Sequence, residues 1–196
     1  KAIELSPDEE FPYVNRASIK SKIGDYRGAI QDYTRSIELA PELAIGYRFR
    51  ATCKHNLGDV RGAINDLTRG IELEPNVADL YTTRGWARIL TEDRQGGIED
   101  FTKVIELKPD DPKAYCDRGL ARRGTDDSGA ISDYTKAIKF DPSCADAYAG
   151  RASAKSMRDD VEGAMDDYQR ALDVAPPNWP ERQKTAEKLR FLIQNQ

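Results

Sequence analysis

The sequence predicts an all-α protein, a solenoid of stacked antiparallel helix pairs, and three observations point to it. The segment GDYRGAIQDYTRSIELAP from Gly24 returns as GDVRGAINDLTRGIELEP from Gly58. It returns with variation as RQGGIEDFTKVIELKP from Arg94, DSGAISDYTKAIKFDP from Asp127 and VEGAMDDYQRALDVAP from Val161. Measured between Ala29, Ala63, Gly97, Ala130 and Ala164, the spacing is 34, 34, 33 and 34 residues, a period that marks stacked repeats. Second, each segment is preceded by an element that opens with tyrosine, at Tyr13, Tyr47, Tyr81, Tyr115 and Tyr148. A small residue follows four places on, at Ala17, Ala51, Gly85, Gly119 and Ala152. Third, apolar and small residues recur at helical spacing, and proline closes each second element at Pro41, Pro75, Pro109, Pro142 and Pro176.

The elements follow in order. KAIELSP, within residues 1–9, matches the end of a preceding repeat's second helix and would leave Ile3 and Leu5 exposed or needing a partner. Five full repeats then occupy residues 10–43, 44–77, 78–111, 112–144 and 145–178, each a helix, a Gly-Asp or acidic turn, and a second helix. Small side chains at Ala17 and Ala29, and at their equivalents, let the paired helices approach closely, and aromatic and aliphatic residues fill the space against the next helix. The remainder, 179–196, carries Ala186, Leu189, Leu192 and Ile193 among charges. It is expected to form a capping helix from about Pro180 to Gln194 over the last repeat.

Several function classes are disfavoured. Lys plus Arg number 30 against 34 Asp plus Glu, a formal net charge of -4, so the basic footprint of a nucleic-acid binder is missing. Cys53, Cys116 and Cys144 form no CxxC pair and have no clustered histidines, so neither a metal site nor a disulfide framework is expected. Reduced thiols favour a cytoplasmic setting as the expectation. No apolar run reaches the roughly 20 residues of a membrane span. The opening Lys1, without methionine and in mid-repeat, leads to the expectation that native sequence precedes it. The single histidine, His55, and the lack of nucleophile, phosphate-loop and zinc signatures give no catalytic constellation. No enzyme activity and no cofactor are expected.

The 34-residue period, the tyrosine with a small residue four later, the alanine after the turn, the aromatic four beyond it and the final proline resemble the tetratricopeptide repeat. That aromatic is Tyr33, Phe101, Tyr134 and Tyr168, with Leu67 once. The resemblance implies a right-handed superhelix whose concave wall, built from the first helices, binds a peptide or a partner helix.

Two regular departures from the family pattern stand out. Where leucine is usual, each first helix has arginine: Arg16, Arg50, Arg84, Arg118 and Arg151. Fifteen or sixteen residues later stands Asp32, Asp66, Asp100, Asp133 or Asp167. In an antiparallel hairpin the two positions face each other, which predicts structural ion pairs within each repeat. Identical pairs repeated along a rod suit architecture better than an active site. Four residues after each arginine stands a second cation, Lys20, Lys54, Arg88, Arg122 or Lys155, whose destination the sequence leaves open.

Helical phase assigns the groove. Asn15 and Ser18 fall on it in the first repeat, Arg48, Phe49, Thr52 and His55 in the second, and Thr82, Thr83, Trp86 and Ile89 in the third. Lys113, Asp117, Leu120 and Arg123 follow in the fourth, and Asp146, Ser153 and Ser156 in the fifth. The expected peptide-binding set is Arg48, Phe49, Thr52, Thr82, Thr83, Trp86, Lys113, Asp117, Leu120 and Arg123, apolar anchors rimmed by cations and threonines. The cation and asparagine pattern by which some family members clamp an acidic C-terminus is absent: Asp117 stands where its last cation belongs. A protein-interaction scaffold is therefore the expected function. The alternative is a self-assembling structural subunit that forms homo-oligomers through its N-terminal end or outer face.

Overall fold

The computed structural model describes residues 8–195. The expected helix end at KAIELSP lies outside the described residues. All regular structure among them is helical: α1 (Glu10–Lys22), α2 (Tyr26–Leu39), α3 (Ala44–Asn56), α4 (Val60–Leu73), α5 (Ala78–Leu90), α6 (Arg94–Leu107), α7 (Pro112–Arg122), α8 (Asp127–Phe140), α9 (Ala145–Ser156), α10 (Val161–Val174) and α11 (Arg182–Gln194). The chain forms two compact units that meet within α6, one up to Asp100 and the other from Phe101.

The turn chemistry explains where each second helix starts. The carboxylates of Asp25, Asp59, Asp93, Asp126 and Asp160 accept the amides of Gly28, Gly62, Gly96, Gly129 and Gly163 at 2.9 to 3.0 Å. They satisfy a donor that the helix end would leave unpaired. The capping carboxylate sits where a Cβ on these glycines would be, which is why the third helical position is glycine. Gly24 and Gly58 take φ of 84° and 83° in the preceding turn, whereas Glu92, at the corresponding place in the third repeat, holds φ 66°.

In the first unit, Val14, Ala17, Ala29, Tyr33 and Cys53 form a buried cluster against which Tyr26, Ile30 and Phe49 pack. Alanines with no exposed surface at 17 and 29 bring α1 and α2 together, and the Tyr33 ring fills the space toward α3. In the second unit, Tyr115, Ala130, Tyr134, Ala137, Ala147 and Ala154 pack together, and a further cluster joins Ala152, Ala164 and Tyr168 to Leu189. Fully burying one such aromatic contributes about 2 to 3 kcal/mol.

The C-terminal helix covers the last repeat with two differences from expectation. It starts at Arg182 and turns Leu189 inward, but Ile193 is exposed. Trp179, left over in the sequence pattern, is 92% removed from water within a cluster with Ala145, Ala171 and Ala175, being 8% exposed. Its indole Nε1 donates to Asp146 Oδ1 at 2.8 Å. Arg182 Nη2 donates to the carbonyls of Leu172 at 3.2 Å and Ala175 at 2.6 Å, closing the C-terminal end of α10.

Candidate functional site

The repeated arginine and aspartate form bidentate pairs. Nη2 of Arg16 lies 2.5 Å from Asp32 Oδ1, and the separation is 2.7 Å for Arg50–Asp66, Arg84–Asp100, Arg118–Asp133 and Arg151–Asp167. Nε donates to Oδ2 in every pair. All five aspartates are buried. The second cations, left open by the sequence, converge on the same carboxylates: Lys20, Lys54, Arg88, Arg122 and Lys155 reach the Oδ2 atoms at 2.8 to 3.0 Å. Two cations therefore share each buried carboxylate, which receives charged donors on both of its oxygens. Burial pushes the Asp32 carboxyl up, but the hydrogen bonds and charges of Arg16 and Lys20 outweigh it and hold the group below the usual carboxylate range.

The arginines also join one repeat to the next. Nη1 of Arg50, Arg84, Arg118 and Arg151 donates to Oγ1 of Thr34, Thr68, Thr102 and Thr135 at 3.1 Å. Each threonine belongs to the preceding second helix. The guanidinium groups also stand 5.7 to 6.0 Å from the tyrosine three residues earlier on the same helix. This network ties the helices together within each repeat and from one repeat to the next.

Within the first unit, the expected groove residues divide by exposure. Thr52 and Thr83 are exposed, and Arg48, Phe49, Thr82 and Trp86 are half-buried. Phe49, expected as an apolar member of the groove, is covered on one side by the preceding repeat. Its ring stacks on Tyr33 with centroids 5.9 Å apart, and Arg48 lies over its outer face at 4.7 Å. The second helix of the preceding repeat covers that side, so Phe49 belongs largely to the scaffold. Thr52, Thr82 and Thr83 return their hydroxyls to the helix carbonyls of Arg48, Ala78 and Asp79.

Within the second unit, the groove residues of the fourth repeat line a cleft of about 590 Å³. Lys113, Asp117 and Leu120 on α7, with Arg123 just beyond it, form one wall; α9 supplies Asp146, Ala149 and Gly150; Tyr134 and Tyr168 form the floor. Glu181, Lys184, Thr185 and Lys188 close the far side, so the capping helix is also a wall of the site. Asp117 is buried and lies 3.7 Å from the exposed Lys113, and Ser153, expected on the groove, is buried as well. Helical phase placed Lys113, Asp117, Leu120 and Arg123 on one face, and all four line this cleft. It missed Lys184 and Lys188, whose i,i+4 spacing beside the buried Leu189 was the available signal.

The cleft has two chemical ends. Cys116 and Cys144 lie with Sγ atoms 3.9 Å apart beside Asp117, Asp141 and Asp146. Arg123, Lys184 and Lys188 gather at the other. Burial, then the like charges of Arg123 and Lys184, push the Lys188 ammonium below its ordinary range, while Glu181 acts in the opposite direction. Among the described residues, no carboxylate stands within ion-pair distance of Arg123 or Lys188; Glu181 pairs with Lys184 at 3.2 Å. The Lys188 ammonium lies 5.7 Å from the Tyr168 ring. His55, on α3, is exposed, and no group of three metal-ligating side chains occurs among the described residues.

A tetratricopeptide-repeat family model matches residues 12–43 and 78–111. Solved structures share the chain's fold. YrrB, a tetratricopeptide-repeat protein with an unusual peptide-binding site, is 21% identical with a TM-score of 0.81, over 96% of this chain and 97% of that one. MamA is 23% identical with a TM-score of 0.80, over 92% and 96%. A tetratricopeptide-repeat protein from Parabacteroides merdae is 15% identical with a TM-score of 0.83, over 94% and 73%. No curated protein sequence matches the chain. No helix among the described residues is long and apolar enough to cross a membrane.

Proposed function

We propose that this protein is an adaptor that takes an extended peptide into the second unit's cleft, the peptide placing a carboxylate between Arg123 and Lys188. One observation carries the reading: two cations in a concave site lack a carboxylate partner, and one of them has its charged form disfavoured by burial and by its neighbours. An arriving carboxylate would relieve that cost and gain charge-assisted hydrogen bonds. Leu120, 39% exposed, and the Tyr168 ring offer an apolar seat next to it. The volume is in the range of sites that enclose small ligands or a few side chains. In the first unit, half-buried Trp86 and exposed Thr83 are offered as a separate share of the first-helix face.

The test is a titration of isotope-labelled protein with peptides carrying one aspartate or glutamate beside an apolar residue, with the corresponding amide peptides as controls. Expected are resonance shifts at Leu120, Arg123, Tyr168 and Lys188, preference for the acids, and loss of binding in the Arg123→Ser, Lys188→Ser double variant. Shifts confined to α8 and α10 surfaces outside the cleft, or equal binding of acid and amide, would overturn the reading.

Self-assembly is the second reading. It is favoured by apolar side chains exposed on or next to the terminal helices described here, Phe11 and Ile19 on α1 with Ile23 just after it, and Phe191 and Ile193 on α11. Molar mass measured against concentration separates the two: an adaptor keeps one mass, and a self-assembling subunit grows.

A further inference from the structure

We propose that Cys116 and Cys144 are a redox modification site: a small-molecule disulfide oxidises them to a reversible intramolecular bond that ties α7 to the start of α9 inside the cleft. The sequence reading gave these thiols no role, because they are 28 residues apart and form no recognised motif. The fold brings their sulfurs to 3.9 Å, and both line the cavity, where a small oxidant can reach them. A disulfide forms at about 2.05 Å between sulfurs. The two therefore close a gap of about 2 Å to bond. The third cysteine, Cys53, has no exposed surface and serves as an internal control.

The roles of the two sulfurs follow from their surroundings. Cys144 is the N-cap of α9, at the positive end of that helix. The hydrogen bond from Cys116 lowers the Cys144 thiol, against the effect of burial, while Cys116 is held up by the same bond and by burial. Cys144 therefore ionises first and is the nucleophile. Its thiolate attacks one sulfur of an oxidised low-molecular-weight thiol such as glutathione disulfide. The oxidant's S–S bond breaks, one glutathione leaves as thiolate and takes up a proton, and Cys144 carries a mixed disulfide. With Cys144 no longer anionic, Cys116 loses its proton more readily and attacks the Cys144 sulfur, expelling the second glutathione. Two protein thiols are oxidised, one disulfide is reduced to two thiols, and two protons pass from the protein to the released glutathiones.

The experiment equilibrates the full chain in glutathione redox buffers, quenches it in acid, alkylates it in denaturant and maps the peptides by mass spectrometry. Free thiols should fall from three to one per chain, with a peptide linking Cys116 to Cys144 and with Cys53 alkylated. In Cys116→Ser the resolving thiol is gone, so glutathione should stay attached at Cys144. Added dithiothreitol should restore all the thiols. Three free thiols under oxidising buffer, a stable mixed disulfide in the unaltered chain, or links only between separate chains would each overturn the proposal. The outcome is independent of whether a peptide binds in the cleft.

Discussion

The guanidinium of Arg84 holds Asp100 by two parallel hydrogen bonds, Nε to Oδ2 at 3.0 Å and Nη2 to Oδ1 at 2.7 Å, with only 11% of the arginine side chain and 3% of the aspartate exposed. The same guanidinium reaches back to Thr68 in the preceding repeat, so one side chain closes its own hairpin and fastens it to its neighbour. Arg16 makes the same pair with Asp32 but is 49% exposed.

That difference sets the first prediction. Arg84→Ala removes both bonds to Asp100 and the Thr68 link, leaving Arg88 as a single cation beside a buried carboxylate. The expected loss of stability is about 3 kcal/mol, toward the lower end for breaking a buried pair because Arg88 stays. Arg16→Ala should cost under about 1 kcal/mol. Chemical denaturation of the two variants checks this, and equal losses would refute a graded network.

Acid should act through Asp32. Its folded pKa lies below the unfolded value of about 3.9. Its contribution to stability is therefore complete above pH about 4 and is lost as pH falls through the folded value. The Asp32 carboxyl resonance should titrate below that of an exposed aspartate. Asp32→Asn should lower stability at neutral pH and flatten the loss on the acid side. A carboxyl that titrates at or above the ordinary value would contradict the pairing.

Truncation before Trp179 should remove the buried indole and Leu189, uncover Ala171 and Tyr168, and delete the wall that carries Lys184 and Lys188. Lower thermal stability and concentration-dependent association are expected, because repeat arrays need a polar cover at their ends. Calorimetry and light scattering on the shortened chain provide the check.

Two glycines should respond with opposite sign to alanine. At Gly70 an added methyl meets Leu80 at 3.6 Å, an ordinary contact, so the helix-propensity gain of about 0.5 to 1 kcal/mol should appear as stabilisation. At Gly150 the methyl would run into the Tyr134 ring, which is almost fully buried and has no room to retreat. Gly150→Ala should destabilise by about 1 to 3 kcal/mol. Thermal melts of the two variants settle the signs.

Some of this architecture was legible in the sequence because it recurs. Contacts inside a hairpin repeat with the chain's own period, so the closely packed positions 17 and 29 recur as Ala or Gly, the turn glycine at Gly24 returns at Gly58, and the facing Arg and Asp of Arg84 and Asp100 recur in every repeat. Period fixes register, and register fixes which side chains meet. The tertiary structure decided what does not recur. The second cations have flexible stems that reach either water or the seam, and the buried carboxylate with a free acceptor edge brought Lys20 and its equivalents inward. Phe49 turned to its neighbour because the Tyr33 ring offered apolar cover. Cys116 and Cys144 each occur once, so no periodicity marked them. Their 3.9 Å separation, and the cleft they share with Lys188, exist only because α7, α9 and α11 come together in space.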